Sequence, residues 1–146
     1  TVEEFRERIH NTLKKYPYLV AEQGGEPVGY AYVGPFHDRP AYDWAVETSI
    51  YVDQNKKRMG IGKKLHEALE EELRNRGFLN MNACIAYPAQ EDEYLTRNSV
   101  EFHAHLGYRM VGQFHQCGYK FHRWYDMVWM EKLIGEHTAD QQLPRF

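Results

Sequence analysis

The residues best suited to chemistry lie between Glu47 and Gly77. A β-branched run, Glu47-Thr48-Ser49-Ile50-Tyr51-Val52, leads into Lys56-Lys57-Arg58-Met59-Gly60-Ile61-Gly62-Lys63, and a segment with Leu65, Leu69 and Leu73 on one helical face follows. A strand feeding a Gly-x-Gly turn at a helix N-terminus builds an anion site. Backbone N–H groups point outward there, the helix dipole adds partial positive charge, and small residues let a phosphate approach closely. Lys56, Lys57, Arg58 and Lys63 suit a polyanion. A plain glycine turn with solvated lysines is the simpler account of the fragment in isolation. Two other phosphate motifs fail on residues. A Walker loop needs Gly at 57 and Ser or Thr at 64, which are Lys57 and Lys64. A dinucleotide fingerprint needs a third glycine where Leu65 stands.

Two titratable side chains accompany the turn. Pleating from Asp43 to Val52 puts Trp44, Val46, Thr48, Ile50 and Val52 on one face, and Glu47, Ser49 and Tyr51 on the other. A carboxylate in mid-strand either accepts a proton from a ligand or pairs with a neighbouring Lys or Arg. His103 shares a helix face with Val100 and Leu106, where it is either a proton carrier or a packed histidine. His115, His122 and His137 lack ligand-like spacing on any one element, so no metal is assigned.

The positioning elements follow from patterning. Thr1-Val2-Glu3-Glu4 reads as a capping box opening a helix with the stripe Phe5, Ile9, Leu13 and Tyr16, ended by Pro17. Tyr18 to Gln23 and Pro27 to Gly34 read as strands joined at Gly24-Gly25. A loop with His37, Asp38 and Arg39 precedes the Glu47 strand. The Leu-striped helix closes with Arg74, Arg76 and Gly77. Leu79 to Tyr87 is a strand stopped by Pro88, an acidic loop runs from Ala89 to Thr96, and a short helix spans about Asn98 to Leu106. Arg109 to Phe114 and Tyr125 to Lys132 close the order as strands, with Gln116 to Trp124 between them. The polar tail from Gly135 to Phe146 reads as a loose terminus.

Bulk properties set the bounds. The 146 residues suffice for one domain with a core, and 42% hydrophobic with 27% charged residues is ordinary for a globular protein. A net charge of −3 argues against nucleic acid as the main partner. No apolar run reaches membrane-spanning length and no secretory signal opens the chain, so no membrane partner is expected. Cys84 and Cys117 have no C-x-x-C spacing, which fits a reducing cytoplasm. The 11 Tyr, 7 Phe and 3 Trp are a surplus best assigned to the core and sheet surface, with a lined pocket or a dimer interface as the other uses.

The element order and particular residues resemble the GNAT superfamily of N-acetyltransferases. Its signature, Gln/Arg-x-x-Gly-x-Gly/Ala after the fourth strand, corresponds to Lys57-Arg58-Met59-Gly60-Ile61-Gly62, with Lys retaining the charge at the first place. Tyr18-Leu19-Val20-Ala21-Glu22, Gly29-Tyr30-Ala31-Tyr32, Gly34-Pro35-Phe36, Ala41-Tyr42-Asp43-Trp44, Val46-Glu47, His103-x-x-Leu106-Gly107-Tyr108 and Gly118-Tyr119-Lys120 to Trp124-x-Asp126 are similar to the phosphinothricin acetyltransferase branch. The resemblance runs up to Leu133. It implies an α/β fold, a mixed central sheet with flanking helices, in one domain over residues 1–134 followed by the tail 135–146. Family members carry a strand and a helix before the position of Thr1, so an N-terminally incomplete domain is expected.

The resemblance also implies a function. Acetyl coenzyme A would be the co-substrate, its pyrophosphate held by Lys57, Arg58, Met59, Gly60, Ile61, Gly62 and Lys63. Backbone groups of Ile50, Tyr51 and Val52 would lie along the pantetheine arm. The family's coenzyme-contacting Asn falls on Thr96, with Asn98 as a substitute. Glu47 would take the ammonium proton, and His103, at the place of a common family Tyr, would protonate the thiolate. Phe36, Arg39 and Tyr42 would hold the acceptor, with Arg39 clamping a carboxylate; an exposed loop arginine is the bland reading. The expected protein is an N-acetyltransferase for a small amino acid or analogue such as phosphinothricin or methionine sulfoximine, working by direct attack in a ternary complex. A homodimer using parts of Gly118 to Trp124 is expected. A non-catalytic acyl-coenzyme A sensor, or acetylation of a peptide, polyamine or aminoglycoside amine, stays open; the sensor would have no reason to keep both Glu47 and His103.

Overall fold

Leu65, Leu69 and Leu73 recur at helical spacing, and in the computed structural model they line the buried side of α1 (Ile61–Arg76), each no more than 1% exposed. The structure describes residues 5–12, 16–53, 60–88 and 98–146, the first of these by backbone alone. The chain divides into two compact units, Thr1–Asn80 with Ile134–Phe146, and Met81–Leu133.

In the first unit β1 (Phe5–Thr12), β2 (Tyr16–Gln23), β3 (Glu26–Pro35) and β4 (Ala45–Val52) lie side by side, each antiparallel to the next. Gly24 and Gly25 both take positive φ, which is why that dipeptide turns β2 into β3. Pleating divides the sheet faces. Leu19, Ala21, Ala31, Val33, Val46 and Thr48 are buried on the face that receives α1. On the other face Tyr18, Tyr30 and Tyr32 stand nearly parallel, with centroids 5.3 to 6.2 Å apart, and Tyr51 lies 5.0 Å from Tyr30. Much of the aromatic surplus is therefore sheet surface.

The N-terminal helix expected with the stripe Phe5, Ile9, Leu13 and Tyr16 is not what residues 5–12 form. They make β1, paired with β2 from Phe5↔Gln23 to Thr12↔Tyr16. Phe5 and Ile9 are four apart, and four is even, so that spacing is shared by a helix face and a strand face. Pairing with β2 then decides between the two periods. The capping box itself, 1–4, lies outside the described residues.

The C-terminal tail also departs from the reading. It holds no helix or strand, yet it is tied down. The Ile134 N–H donates to Leu79 O at 2.8 Å, His137 Nε2 bonds Asn80 Oδ1, and Phe146 packs edge-on against Tyr16 and Phe78. Polar composition concealed this, because each anchor joins residues far apart in the chain.

In the second unit β7 (Arg123–Leu133) lies between β5 (Asn80–Tyr87) and β6 (Arg109–Lys120), and α2 (Asn98–His105) precedes β6. The stretch Gln116 to Trp124, read as a connection, belongs to the two strands except for a two-residue turn at Phe121-His122. Both turn residues have positive φ, 54° and 60°, the hairpin geometry usually signalled by Asn-Gly. A bulge between Phe114 and Gly118 puts Gln116 at φ 50°, and its N–H donates to Asp126 Oδ1 at 2.8 Å. This bond, with that from Gln113 Nε2 to Oδ2, holds the Asp126 carboxyl below the usual range.

Gly29 controls the seating of α1. A Cβ built there would lie 2.9 Å from Tyr51 O, 3.1 Å from Leu65 Cδ1 and 3.4 Å from Ile61 Cγ2. Gly29→Ala is therefore expected to lower stability by about 1–3 kcal/mol, the usual cost of overpacking. Urea unfolding measures it; an unchanged midpoint would show that the helix can shift without loss.

Candidate functional site

The glycine turn is described from Gly60 onward; Lys57, Arg58 and Met59 lie outside the described residues. Gly60 is the N-cap of α1 with φ 75°, a left-handed conformation that favours glycine, and no side chain caps the helix. Among the described residues no atom lies within 4 Å of the position a Cβ would take. The Lys64 N–H donates to Gly60 O at 3.1 Å, the first bond of the helical ladder. Helix geometry leaves the N–H groups of Ile61, Gly62 and Lys63 without intrahelical acceptors. No acidic residue stands in the first turn, and Lys63 is exposed with Glu67 4.0 Å away. N–H groups without intrahelical acceptors, a positive helix end and a left-handed glycine at the cap fit a phosphate group.

The strand before this turn carries Glu47, half-buried, directly across from Gly34. Among the described residues no atom lies within 4 Å of a Cβ built on Gly34, on the face α1 does not cover. Tyr32 pairs with Ser49 on that same face, one step along the ladder. Ile50, Tyr51 and Val52 complete β4, and the Asp53 N–H closes the strand end onto Val28 O at 2.8 Å. Phe36, Arg39 and Tyr42 sit together in the exposed connection between β3 and β4. Its shape comes from a 3-10 turn, Pro40–Tyr42, where the Tyr42 N–H donates to Arg39 O at 2.9 Å and the His37 and Tyr42 rings approach to 5.0 Å.

The second unit holds the remaining candidates. Asn98 opens α2 and is exposed; Thr96 lies outside the described residues. His103 is only 4% exposed. Its Nδ1 lies 2.7 Å from Ser99 O, and its ring meets Tyr108 edge-on at 4.9 Å. A carbonyl can only accept, so Nδ1 carries the proton and Nε2 the lone pair of a neutral imidazole. Burial lowers the His103 pKa, opposed in part by the Ser99 bond. Among the described residues no group of three or more His, Cys, Asp or Glu side chains is placed to hold a metal ion, and no helix is long and apolar enough to cross a membrane.

Comparison with known proteins interprets this arrangement. The family model described as an acetyltransferase (GNAT) domain matches residues 1–129. The chain belongs to the GNAT acetyltransferase family. It is 34% identical over 144 residues to the phosphinothricin N-acetyltransferase of Streptomyces viridochromogenes, covering 99% of this chain and 71% of the relative. It is 35% identical to the L-methionine sulfoximine/L-methionine sulfone acetyltransferase of Salmonella typhimurium, covering 87% of this chain and 70% of the relative. The crystal structure of a GNAT superfamily phosphinothricin acetyltransferase from Sinorhizobium meliloti, in complex with acetyl coenzyme A, superposes with a TM-score of 0.75 at 35% identity, covering 86% of this chain and 65% of that one. The resemblance to the phosphinothricin acetyltransferase branch is thus borne out, as is the α/β fold with a mixed sheet and flanking helices. Membership makes the chain an N-acetyltransferase that draws on acetyl coenzyme A.

Two structural residues escaped the sequence reading. Gly29 looked like one more strand glycine, and only the approach of α1 gives it a role. Trp44 was read as a strand residue, whereas its indole N–H donates to Gln142 O at 2.7 Å, 98 positions away in the chain. No local pattern could signal that pairing.

His103 gives a pH test. The unfolded chain takes up a proton near pH 6.5 that the folded chain, with the lowered pKa, refuses. The stability due to its neutral burial is therefore complete above about pH 6.5 and is lost as pH falls below it. Urea midpoints between pH 7.5 and 5.5 should fall more for the wild type than for His103→Gln, and parallel curves would contradict the assignment.

Proposed function

We propose that the chain transfers acetyl from acetyl coenzyme A to the α-amine of a small amino acid or analogue of the phosphinothricin and methionine sulfoximine type. The observation that carries this reading is Glu47, half-buried on the sheet face free of α1 and across from Gly34, with a phosphate-competent helix end following the same strand. The names of the relatives support the acceptor class.

The turn Gly60-Ile61-Gly62 with Lys63, joined by Lys57, Arg58 and Met59, would hold the pyrophosphate, and the backbone of Ile50, Tyr51 and Val52 would meet the pantetheine arm. Asn98 is a further proposed coenzyme contact. Phe36, Arg39 and Tyr42 would receive the acceptor, the guanidinium facing its carboxylate. Glu47 takes one proton from the substrate ammonium, directly or through a water. The neutral nitrogen attacks the thioester carbonyl, the carbonyl oxygen carries the negative charge of the tetrahedral species, and collapse breaks the C–S bond as the nitrogen, now positively charged, gives its second proton to water. Glu47 then passes its proton to solvent. The departing thiolate takes a proton from His103 to the extent that imidazole is charged, and otherwise from water. Both transfers occur in one ternary complex.

A screen of amino acids, polyamines, aminoglycosides and peptide amines for acetyl coenzyme A consumption separates this reading from its rivals. Binding without turnover of any amine would favour the sensor. With an accepted amine in hand, Glu47→Gln should keep coenzyme affinity and lose roughly 10²–10⁴ in rate, the usual contribution of a positioned general base. The deficit should shrink as pH rises, because solution then supplies the neutral amine. Near-normal turnover across neutral pH would make the carboxylate structural.

The assembly we propose is a homodimer built on the β6–β7 hairpin. All twelve residues of β6 are exposed, and Phe114, Tyr119, Phe121 and Trp124 offer aromatic surface that a second copy would cover. Sedimentation at micromolar concentration should give a dimer mass, shifting toward monomer in Trp124→Ala; a monomeric wild type would overturn this.

A further inference from the structure

We infer that residues 135–146 form a strap that sets the position of the acceptor loop, with Trp44 as the positioning residue. This rests on the reading, proposed above, that Phe36, Arg39 and Tyr42 receive the acceptor. The strap lies beyond the 1–129 match to the family model.

The strap is held at several points within the first unit. The Arg74 Nε–H donates to Ile134 O at 2.9 Å. Gln141 Oε1 accepts from the Thr138 N–H and Oγ1–H at 3.0 and 3.2 Å, which folds the strap back on itself. Gln142 O then accepts the Trp44 indole N–H. Pro144 is buried, with its Cα 3.7 Å from where a Cβ on Gly77 would stand. The Arg145 N–H donates to Arg76 O at 2.7 Å, and Arg145 Nη2 donates to Asn75 O. Phe146 closes the strap between Tyr16 and Phe78.

Trp44 joins this strap to the loop. Its carbonyl accepts from the Leu79 and Asn80 N–H groups at 2.9 and 3.2 Å, so its backbone is fixed to the start of β5. The indole bond to Gln142 fixes its ring. One residue on, Ala45 O accepts the Phe36 N–H at 3.3 Å, the bond that closes the loop carrying Phe36, Arg39 and Tyr42. Trp44 is therefore the hinge post of that loop, and β4 reaches Glu47 three residues later. An indole N–H left without its acceptor would look for water, and the ring would turn with it. The loop would lose its fixed end while the glycine turn, at the other end of β4, would not.

Trp44→Phe removes the N–H and keeps the ring plane. It is expected to raise the KM for the acceptor about three- to tenfold, the effect of one hydrogen bond of typical net strength, with coenzyme affinity unchanged. Removal of residues 140–146 should raise the same KM, and Trp44→Phe should then add nothing. If the shortened chain fails to fold, Pro144→Gly with Arg145→Ala loosens the strap in its place. An unchanged KM in Trp44→Phe, or an equal increment with and without the strap, would overturn the inference. The failure of the functional reading is distinguishable: if the wild type acetylates no amine in the screen, hydrogen exchange still reads the strap. The Tyr42 and Asp43 amides should exchange faster in Trp44→Phe, and unchanged rates would sink the inference independently of activity.

Discussion

The close approach of α1 to β3 at Gly29 is the constraint on which the rest of the site depends. Gly29 lies opposite Val52, the last residue of β4, so the contact fixes the helix where the strand ends. Ile61 and Leu65, the helix residues that meet that glycine, belong to the first helical turns and are fully buried. The direction of the N-terminal N–H groups is thereby set by packing rather than by the turn itself. The same seating gives one sheet face to the core and leaves Glu47, Ser49 and the tyrosines on the other. The candidate base is thereby kept on the face that α1 does not cover.

The two ends of α1 are treated oppositely. At the C-terminus all four orphan carbonyls find donors. The Phe78 N–H reaches Leu73 O and the Gly77 N–H reaches Arg74 O, the Schellman pattern, while Arg145 serves Asn75 and Arg76. Glu70–Arg74 and Glu72–Arg76 pairs at 2.6 and 2.7 Å add favourable charge order toward the negative end of the dipole. The N-terminus has a left-handed glycine for a cap, no capping side chain, no acidic residue and two lysines in its first turns. Each of those choices costs a few tenths of a kcal/mol to about 1 kcal/mol of helix stability. A helix optimised for stability alone would not end so differently at its two ends. An anion at the N-terminus would supply the missing partners.

What the sequence displayed was what local periodicity can carry. The Leu65, Leu69 and Leu73 stripe, the stop at Gly77, the hairpin at Gly24-Gly25 and the alternation through Glu47 all depend on near neighbours, and all were legible. The turn at Phe121-His122 was not, because its positive φ values fall on residues that rarely adopt them and are held there by the strand pairing on either side. Residues 5–12 show a spacing shared by helix and strand. Gly29 and the Trp44–Gln142 bond required knowledge of what approaches from far along the chain. The roles of Glu47 and His103 were legible as chemistry only in type, since spacing cannot tell a half-buried carboxylate from an exposed one, or a charged imidazole from a neutral one.

The contrast between those two environments bears on the order of proton movements. A base that accepts an ammonium proton must release it before the next turnover, and a half-exposed carboxylate can do so to water. His103 is enclosed, with one nitrogen committed to Ser99 O, and burial resists a second proton on its ring. An alkyl thiol has a pKa of about 8.5, so a thiolate leaves near neutral pH with far less need of an acid than an alkoxide would. The demanding step in this reaction is creating a neutral amine, not discharging the thiolate. On the proposed mechanism Glu47 would meet that demand, and a neutral His103 would not stall the exit of the thiol.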